Sequence, residues 1–400
     1  MKIAARMESL PTYIFATIGE QIAALKREGV DVIRLDIGSP DLPPSREVIE
    51  TLEVEARRPD THGYAGFYGD PDFRAAIARY YARRFDVTLD PQTEVLALIG
   101  SKEGIQHLPT AFADPGSVVL VPDPGYPTYK NPARLVGAEL YPMPLLREND
   151  FLPDFDAIPP DVLRRARLMW LNYPNNPTSA VAGLDFLEEA VAFARRHDVL
   201  LAYDNPYSEI VWDGYQPPSV LQVPGAKEVA LEFNSLSKMA NMAGWRVGMA
   251  VGSAEAVAAL ARVKTNADTG IFYPIQRAAT VALDLPAAWH AERNAIYRER
   301  RAVVTRALER MNWWYAPYAA TLYVWAELPP MFPSSMDFAR RLLQETGVSV
   351  SPGAAFGPSG EGYVRISLVR PVAQLTEAME RWERWIMSEA LRLDSRRIVR

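Results

Sequence analysis

The sequence predicts an α/β protein, with a large, doubly wound, mostly parallel sheet domain and a smaller α+β domain. Three observations carry the prediction. Between about residues 95 and 252, short apolar runs alternate with amphipathic stretches, the order that builds βαβ units. The runs are continuous rather than alternating, which fits strands covered on both faces by helices. The last third reads differently, as strands and helices outside that repeat. A chain of 400 residues also exceeds what one core usually holds.

Taken in order, Tyr13–Glu28 reads as a helix, and Asp31–Ile37 as a short strand leading into Gly38-Ser-Pro-Asp-Leu-Pro-Pro-Ser45. The buried-strand candidates are Val95–Ile99, Val118–Val121, Leu168–Leu171, Leu200–Tyr203, Val229–Phe233 and Val247–Val251. The clearest helix between them is Gly183–His197. There Phe186, Ala190, Phe193 and Ala194 share one face, and Glu188, Arg195 and Arg196 another. A long amphipathic segment, Ala282–Met311, is expected to connect the two domains. Beyond it Thr321–Glu327 alternates as a half-buried strand, Met336–Gln344 reads as a helix, Tyr363–Leu368 as a strand and Val372–Ala390 as a long helix. The expected boundaries are an N-terminal segment, 1–45, belonging to the small domain, a large domain, 46–285, and a small domain, 286–400.

Composition narrows the function. With 48% hydrophobic and 23% charged residues the chain is globular, and its net charge of −6 is the opposite of a nucleic-acid footprint. There is no cysteine, which removes disulfides, zinc–thiolate and iron–sulfur sites and thiol nucleophiles together. The four histidines, His62, His107, His197 and His290, show no i, i+4 pair, so no metal site is expected. Lys2 is not followed by an apolar core, and no run approaches the ~18 apolar residues of a membrane span, so a cytoplasmic protein is expected. The basic end carrying Arg396, Arg397 and Arg400 reads as a solvated helix end. No strand is followed by GxGxxG, and there is neither a P-loop nor a GxSxG elbow.

In a doubly wound sheet a ligand sits beyond the carboxyl ends of the strands. The residues expected there are Gly100-Ser-Lys-Glu103, Pro122–Tyr126, Asn172–Thr178, Asp204–Tyr207 and Ser235–Lys238. Such polar, aromatic and charged ends suit a cofactor or substrate better than ordinary loops do. Lys238 ends a strand, and Arg246 follows eight residues on. Burial and cationic neighbours would lower the lysine's pKa and make its amine nucleophilic toward an aldehyde cofactor. The arginine fork suits a phosphate dianion. The alternative is a lysine and an arginine on a surface loop.

These residues carry a resemblance. Asn234-Ser-Leu-Ser-Lys238-Met-Ala-Asn-Met-Ala-Gly-Trp-Arg246-Val-Gly248 resembles the lysine motif of fold-type I pyridoxal-phosphate-dependent aminotransferases, class I/II. Gly100-Ser-Lys-Glu-Gly104 resembles the loop opening the helix that receives the cofactor phosphate, an anion site by its helix N-terminus. Pro124-Gly-Tyr126 resembles the segment whose ring stacks on the pyridine, and Asn172-Tyr-Pro-Asn-Asn176-Pro-Thr-Ser179 resembles the family's NPxNPTG. Asp204-Asn-Pro-Tyr207-Ser-Glu209 resembles DxxYxE, and Tyr363-Val-Arg365-Ile-Ser367 the strand of the carboxylate-binding arginine. The motifs fall in the family's order along nearly the whole chain.

The resemblance implies pyridoxal 5′-phosphate as cofactor and ping-pong transfer of an amino group between an L-amino acid and a 2-keto acid. It implies that Lys238 is the catalytic base, that Asp204 keeps the pyridine nitrogen protonated, and that Tyr207 and Asn176 face the phenolic oxygen. Arg246, Ser101 and Ser235 would hold phosphate, Tyr126 would stack on the ring, and Arg365 would grip the substrate α-carboxylate. Lys102 would meet phosphate, a distal substrate group or solvent. Gly38 would leave room on the substrate side. Tyr64, in Gly63-Tyr-Ala-Gly-Phe-Tyr-Gly69, matches the tyrosine that reaches a neighbouring subunit's phosphate, which implies a homodimer with shared sites.

Tyr13-Ile-Phe15, His62-Gly-Tyr64, Gly100–Gly104 and Asn266-Ala-Asp-Thr-Gly270 together resemble the LL-diaminopimelate/aspartate aminotransferase-like subgroup. Asp268-Thr-Gly lacks the arginine that the best-known aspartate enzymes use on a distal carboxylate, so strict dicarboxylate specificity by that route is not expected. Glutamate with 2-oxoglutarate is the default pair. A carbon–sulfur β-lyase of the same fold is the alternative. A non-catalytic sensor fused to a DNA-binding domain is the least expected reading, because family-like sequence begins at the front and the catalytic set is kept. Two positions depart from the pattern: Ser179 stands where the family has glycine, and Met239-Ala240 where it commonly has threonine–tyrosine. Proline is abundant, 33 residues or about 8% against a typical ~5%, and much of it falls in the expected site loops, where it stiffens the backbone. Asn–Pro and Tyr–Pro pairs there are candidates for cis bonds.

Overall fold

The computed structural model describes residues 1–11 and 14–398, without the side chains of Ser9, Ala390 and residues 392–398. Tyr13, expected to open the first helix, and Arg400 lie outside the described residues, as do the side chains of Arg396 and Arg397. In chain order the strands are β1 (Ile33–Leu35), β2 (Val95–Leu98), β3 (Val118–Asp123), β4 (Glu139–Pro144), β5 (Ala166–Asn172), β6 (Leu200–Asp204), β7 (Ala230–Ser235), β8 (Gly248–Gly252), β9 (Tyr323–Glu327), β10 (Val348–Pro352) and β11 (Tyr363–Ser367). A seven-stranded sheet runs β2-β8-β7-β6-β5-β3-β4, and a four-stranded sheet runs β1-β10-β11-β9.

The large sheet is mostly parallel, as expected, with β8 antiparallel to both β2 and β7. Every residue of β2, β3, β7 and β8 is buried, because helices such as Ser101–Phe112, Leu184–His197 and Ala254–Lys264 cover both faces. This explains the continuous apolar runs. The edge strand β4 had no such signal: Pro142 and Pro144 interrupt it and only Met143 is buried, as edges tolerate.

Two expectations need correction. Thr321–Glu327 is not half-buried: β9 spans Tyr323–Glu327, and Tyr323, Val324, Trp325 and Ala326 are all buried. It is an edge strand of the small sheet, but Trp325 packs into one core while Tyr323, Val324 and Ala326 pack into another, so both of its faces meet core. Ala282–Met311 is not one helix. A helix Tyr273–Leu283 ends, Asp284-Leu-Pro286 turns, and a 24-residue helix Ala287–Arg310 begins. Pro286 cannot continue the first helix, but it suits the entry of the second.

The small sheet recruits the N-terminal segment, since β1 pairs parallel with β10 from Ile33–Val348 to Leu35–Val350. The residues after β1 are thereby carried across the mouth of the large sheet, and Asp41 is tied to Arg300 of the long helix at 2.7 Å. The small domain has its own core, in which Phe338, fully buried, meets Trp313, Phe332, Trp382 and Trp385. Phe338→Ala would leave a ring-sized cavity costing about 3–5 kcal/mol. The expected result is a clearly lower urea midpoint followed by tryptophan fluorescence; an unchanged midpoint contradicts this packing.

Candidate active site

The carboxyl ends of β5, β6 and β7 open into a cavity of ≈ 700 Å³ whose other wall comes from the small domain and the residues after β1. Its lining contains Gly38, Ser101, Lys102, Tyr126, Asn176, Asp204, Tyr207, Ser235, Lys238, Arg246 and Arg365, so residues spread over most of the chain converge in one place. Tyr64 does not line it. That side chain is 91% exposed on an outer loop.

Lys238 sits in a short helical turn, Leu236–Met239, that begins as β7 ends. Its Nζ donates to the Gly38 carbonyl. Burial pushes the amine down to about 8, with Arg365 and Arg246 adding to the effect and Asp204 opposing it. Ser235 caps the turn, its hydroxyl accepting from the Ser237 N–H at 3.2 Å. Arg246 adopts a left-handed conformation, φ 57°, which swings its guanidinium toward the start of the helix Ser101–Phe112. A side chain at Gly100 would collide with that guanidinium, 2.9 Å from Cζ, and Gly100 itself has φ +70°. The helix N-terminus, Ser101, Ser235, Ser237 and Arg246 thus form one cup of hydroxyls and positive charge.

Asp204 ends β6 opposite this cup. Tyr129 Oη donates to its Oδ2 at 2.6 Å, and the Tyr129 ring stacks on Trp170 at 4.9 Å. Asp204 Oδ1 is buried without a hydrogen-bond partner. Burial pushes this carboxyl up to about 7, against Tyr129 and Lys238, which pull it down. Asn172 braces the same corner: its amide donates to the Asp204 carbonyl at 2.7 Å and its oxygen accepts from the Asn176 N–H at 2.9 Å. The peptide bonds Asp123–Pro124, Tyr173–Pro174 and Asn176–Pro177 are cis, two of them of the expected Tyr–Pro and Asn–Pro kind.

On the small-domain side Arg365 is 4% exposed. It donates to Asn176 Oδ1 at 2.6 Å, to the Asp36 carbonyl at 2.9 Å and to Ser351 Oγ at 3.2 Å. Its plane lies over Tyr323 at 4.1 Å and Phe356 at 4.8 Å, and its Nε is buried without a partner. Tyr207 Oη lies 2.9 Å from Tyr323 Oη. Gly38 differs from the expectation: a side chain there would strike the Tyr323 hydroxyl, so the missing Cβ leaves room for that tyrosine.

Sequence reading missed Tyr129, Asn172, Ser237, Tyr323 and Phe356, all of which line this cavity. Tyr129 and Asn172 lay inside quoted motifs and could have been singled out as hydrogen-bonding side chains at strand ends. Tyr323 and Phe356 read as core aromatics, and nothing in their neighbours gives a signal.

The donor set fits a phosphorylated pyridine aldehyde. The cup offers hydroxyls, a helix N-terminus and a guanidinium to the phosphate. The partnerless Asp204 oxygen suits a cationic ring nitrogen, Lys238 suits an aldehyde, and Tyr126 offers a ring face. Similarity to known proteins points the same way. The family model of aminotransferase class I and II matches residues 30–381. The chain is 50% identical to an LL-diaminopimelate aminotransferase of Desulforudis audaxviator (strain MP104C), over 94% of this chain and 96% of that one. The apo-BacF structure from Bacillus subtilis superposes with a TM-score of 0.93 at 38% identity, covering 96% of this chain and 98% of that one. A probable N-succinyldiaminopimelate aminotransferase from Thermus thermophilus gives 0.86 at 40% identity, covering 92% and 98%. Fold, cavity and kinship agree that this chain belongs to the class I and II aminotransferases, as a pyridoxal-phosphate-dependent enzyme of the LL-diaminopimelate aminotransferase-like subgroup.

Proposed function

We propose that the cavity transfers the amino group of a diaminopimelate-type amino acid to 2-oxoglutarate, with Lys238 as base and Arg365 as the α-carboxylate fork. The observation that carries the site assignment is the convergence of Lys238, Asp204, Arg246 and Arg365 on one cavity. The donor class rests on the 50%-identical relative's name and on residues 266–270. There Asp268 is locked onto buried Lys264 at 2.7 Å, and the segment itself carries no arginine. When bound, pyridoxal phosphate supplies an aldehyde for the substrate amine and a ring that disperses the charge left at Cα.

The chain's own residues do the rest. Arg365, fixed by Asn176 and Asp36, binds the α-carboxylate and orients Cα. Lys238 Nζ, depressed to about 8, carries the proton from Cα. Asp204 holds the ring nitrogen's proton, and Ser101, Ser235 and Arg246 anchor the phosphate. Tyr207 donates to the phenolic oxygen, Tyr126 stacks, and Lys102 lines the distal end. Tyr64, Phe67, Tyr68 and Phe272 are exposed aromatic residues, which supports a homodimer in which Tyr64 serves the partner's site. A division at about residues 45 and 285 and a cytoplasmic location complete the reading; among the described residues no helix is long and apolar enough to cross a membrane.

A donor panel with 2-oxoglutarate tests this. LL-diaminopimelate should give the highest kcat/KM. Preferred turnover of aspartate contradicts the donor class, and release of pyruvate and ammonia without a keto acid favours the β-lyase alternative. Lys238→Ala should lower turnover by more than ~100-fold, and retention within about tenfold of wild type contradicts the base assignment. In cofactor-free protein an amine-selective reagent should label Lys238 with a midpoint near about 8; a midpoint in the ordinary lysine range contradicts the burial argument. The linkage has a definite sign. Between about 8 and 10.5 the unfolded lysine binds a proton that the folded one does not, so this group's contribution to stability rises with pH across that window.

A further inference from the structure

Two buried residues occupy backbone conformations that side chains avoid. Ser179 has φ 62° and Thr321 has φ 69°, and for a β-branched threonine that is a genuine outlier. Strain of this kind persists only where the surroundings fix it. The two face one another across 142 residues of chain, Ser179 Oγ lying 2.7 Å from Thr321 Oγ1. Ser179 Oγ also donates to the Tyr323 carbonyl at 3.1 Å, and Thr321 Oγ1 accepts from the Tyr323 N–H at 3.2 Å. Ser179 has a single hydroxyl proton, already given to Tyr323, so Thr321 must donate to Ser179. The four groups form a ring of hydrogen bonds with one consistent direction, and it holds both backbone groups of Tyr323. Glycine at position 179 would ease the backbone but open the ring.

The Tyr323 side chain is as constrained as its backbone. The residue is 2% exposed, its ring lies under the Arg365 guanidinium at 4.1 Å, and its hydroxyl fills the space at Gly38. That hydroxyl is 2.9 Å from Tyr207 Oη. A cation on the face of a phenol draws electron density from it and makes its O–H the better donor. With Tyr323 as the donor of this pair, the Tyr207 proton is left to point into the cavity.

We propose that Tyr323, fixed by the Ser179–Thr321 hydroxyl latch, is a positioning residue that aims the Tyr207 hydroxyl at the cofactor. This rests on the role proposed above for Tyr207.

The test is the pH midpoint of the holoenzyme's visible absorbance change, measured without substrate in wild type, Tyr207→Phe, Tyr323→Phe and the double variant. Donation to the phenolic oxygen stabilises its anionic form, so losing it raises the midpoint. Tyr323→Phe should raise it by roughly half a unit or more, about threefold in the proton equilibrium. In the Tyr207→Phe background the same change should add nothing, because Tyr323 acts through Tyr207. Ser179→Gly should shift the midpoint in the same direction. A Tyr323→Phe midpoint equal to wild type, beside a shifted Tyr207→Phe, overturns the inference and leaves the role of Tyr207 standing. Additive shifts also overturn it. A silent Tyr207→Phe removes the role of Tyr207 and this inference with it. An unshifted Ser179→Gly overturns the latch.

Discussion

Asp204 stands at the end of β6 with one carboxylate oxygen on Tyr129 and the other, deep in the protein, on nothing. Leaving a buried acceptor unmatched costs about 1–3 kcal/mol, more when it is charged. The rest of the site is arranged about that oxygen. The parallel strands β5, β6 and β7 bring Asn172, Asp204 and the Lys238 turn to one edge. Tyr129 and Asn172 spend their hydrogen bonds holding the aspartate in place. Across the cavity stand Lys238, Arg246 and Arg365, and burial, with repulsion from the two arginines added, depresses the lysine. A guest that is cationic at one end and anionic at the other relieves both ends at once.

The second wall of the cavity belongs to another sheet, and its attachment matters as much as its side chains. β1 joins β10, so Asp36 and Gly38 come to rest between Arg365 and Lys238. Asp41 then clamps the segment to Arg300 on the long helix. Arg365 in turn reaches Asn176, in the loop that follows β5 of the large sheet. The Lys238 side of the cavity and the Arg365 side are linked through a few buried polar contacts.

Much of this was legible in the sequence. Strands buried on both faces write themselves as continuous apolar runs, and the polar groups at their ends stand out against them. Lys238 and Asp204 are conspicuous for that reason, whereas Arg246 stands out by its spacing from Lys238 and Arg365, in the middle of β11, only through the family resemblance. What stayed hidden depends on contacts between distant parts of the chain. Tyr323 looks like any core aromatic until Tyr207 and Gly38 are seen beside it. β4 escaped notice because an edge strand with two prolines has no run to show. Ser179 looked only like a departure from the family's glycine, and its partners, Thr321 and Tyr323, lie too far along the chain for local pattern to announce them.

The central claim is that the partnerless oxygen of Asp204 is matched by a proton on the ring nitrogen of the bound cofactor. Nitrogen-15 magnetic resonance of the holoenzyme, loaded with cofactor labelled at that nitrogen, reads this proton directly. The account predicts a protonated nitrogen at about pH 8, held there by the buried carboxylate, and loss of that proton in Asp204→Ala. A deprotonated nitrogen in the wild-type enzyme, or one that Asp204→Ala leaves unchanged, would contradict it.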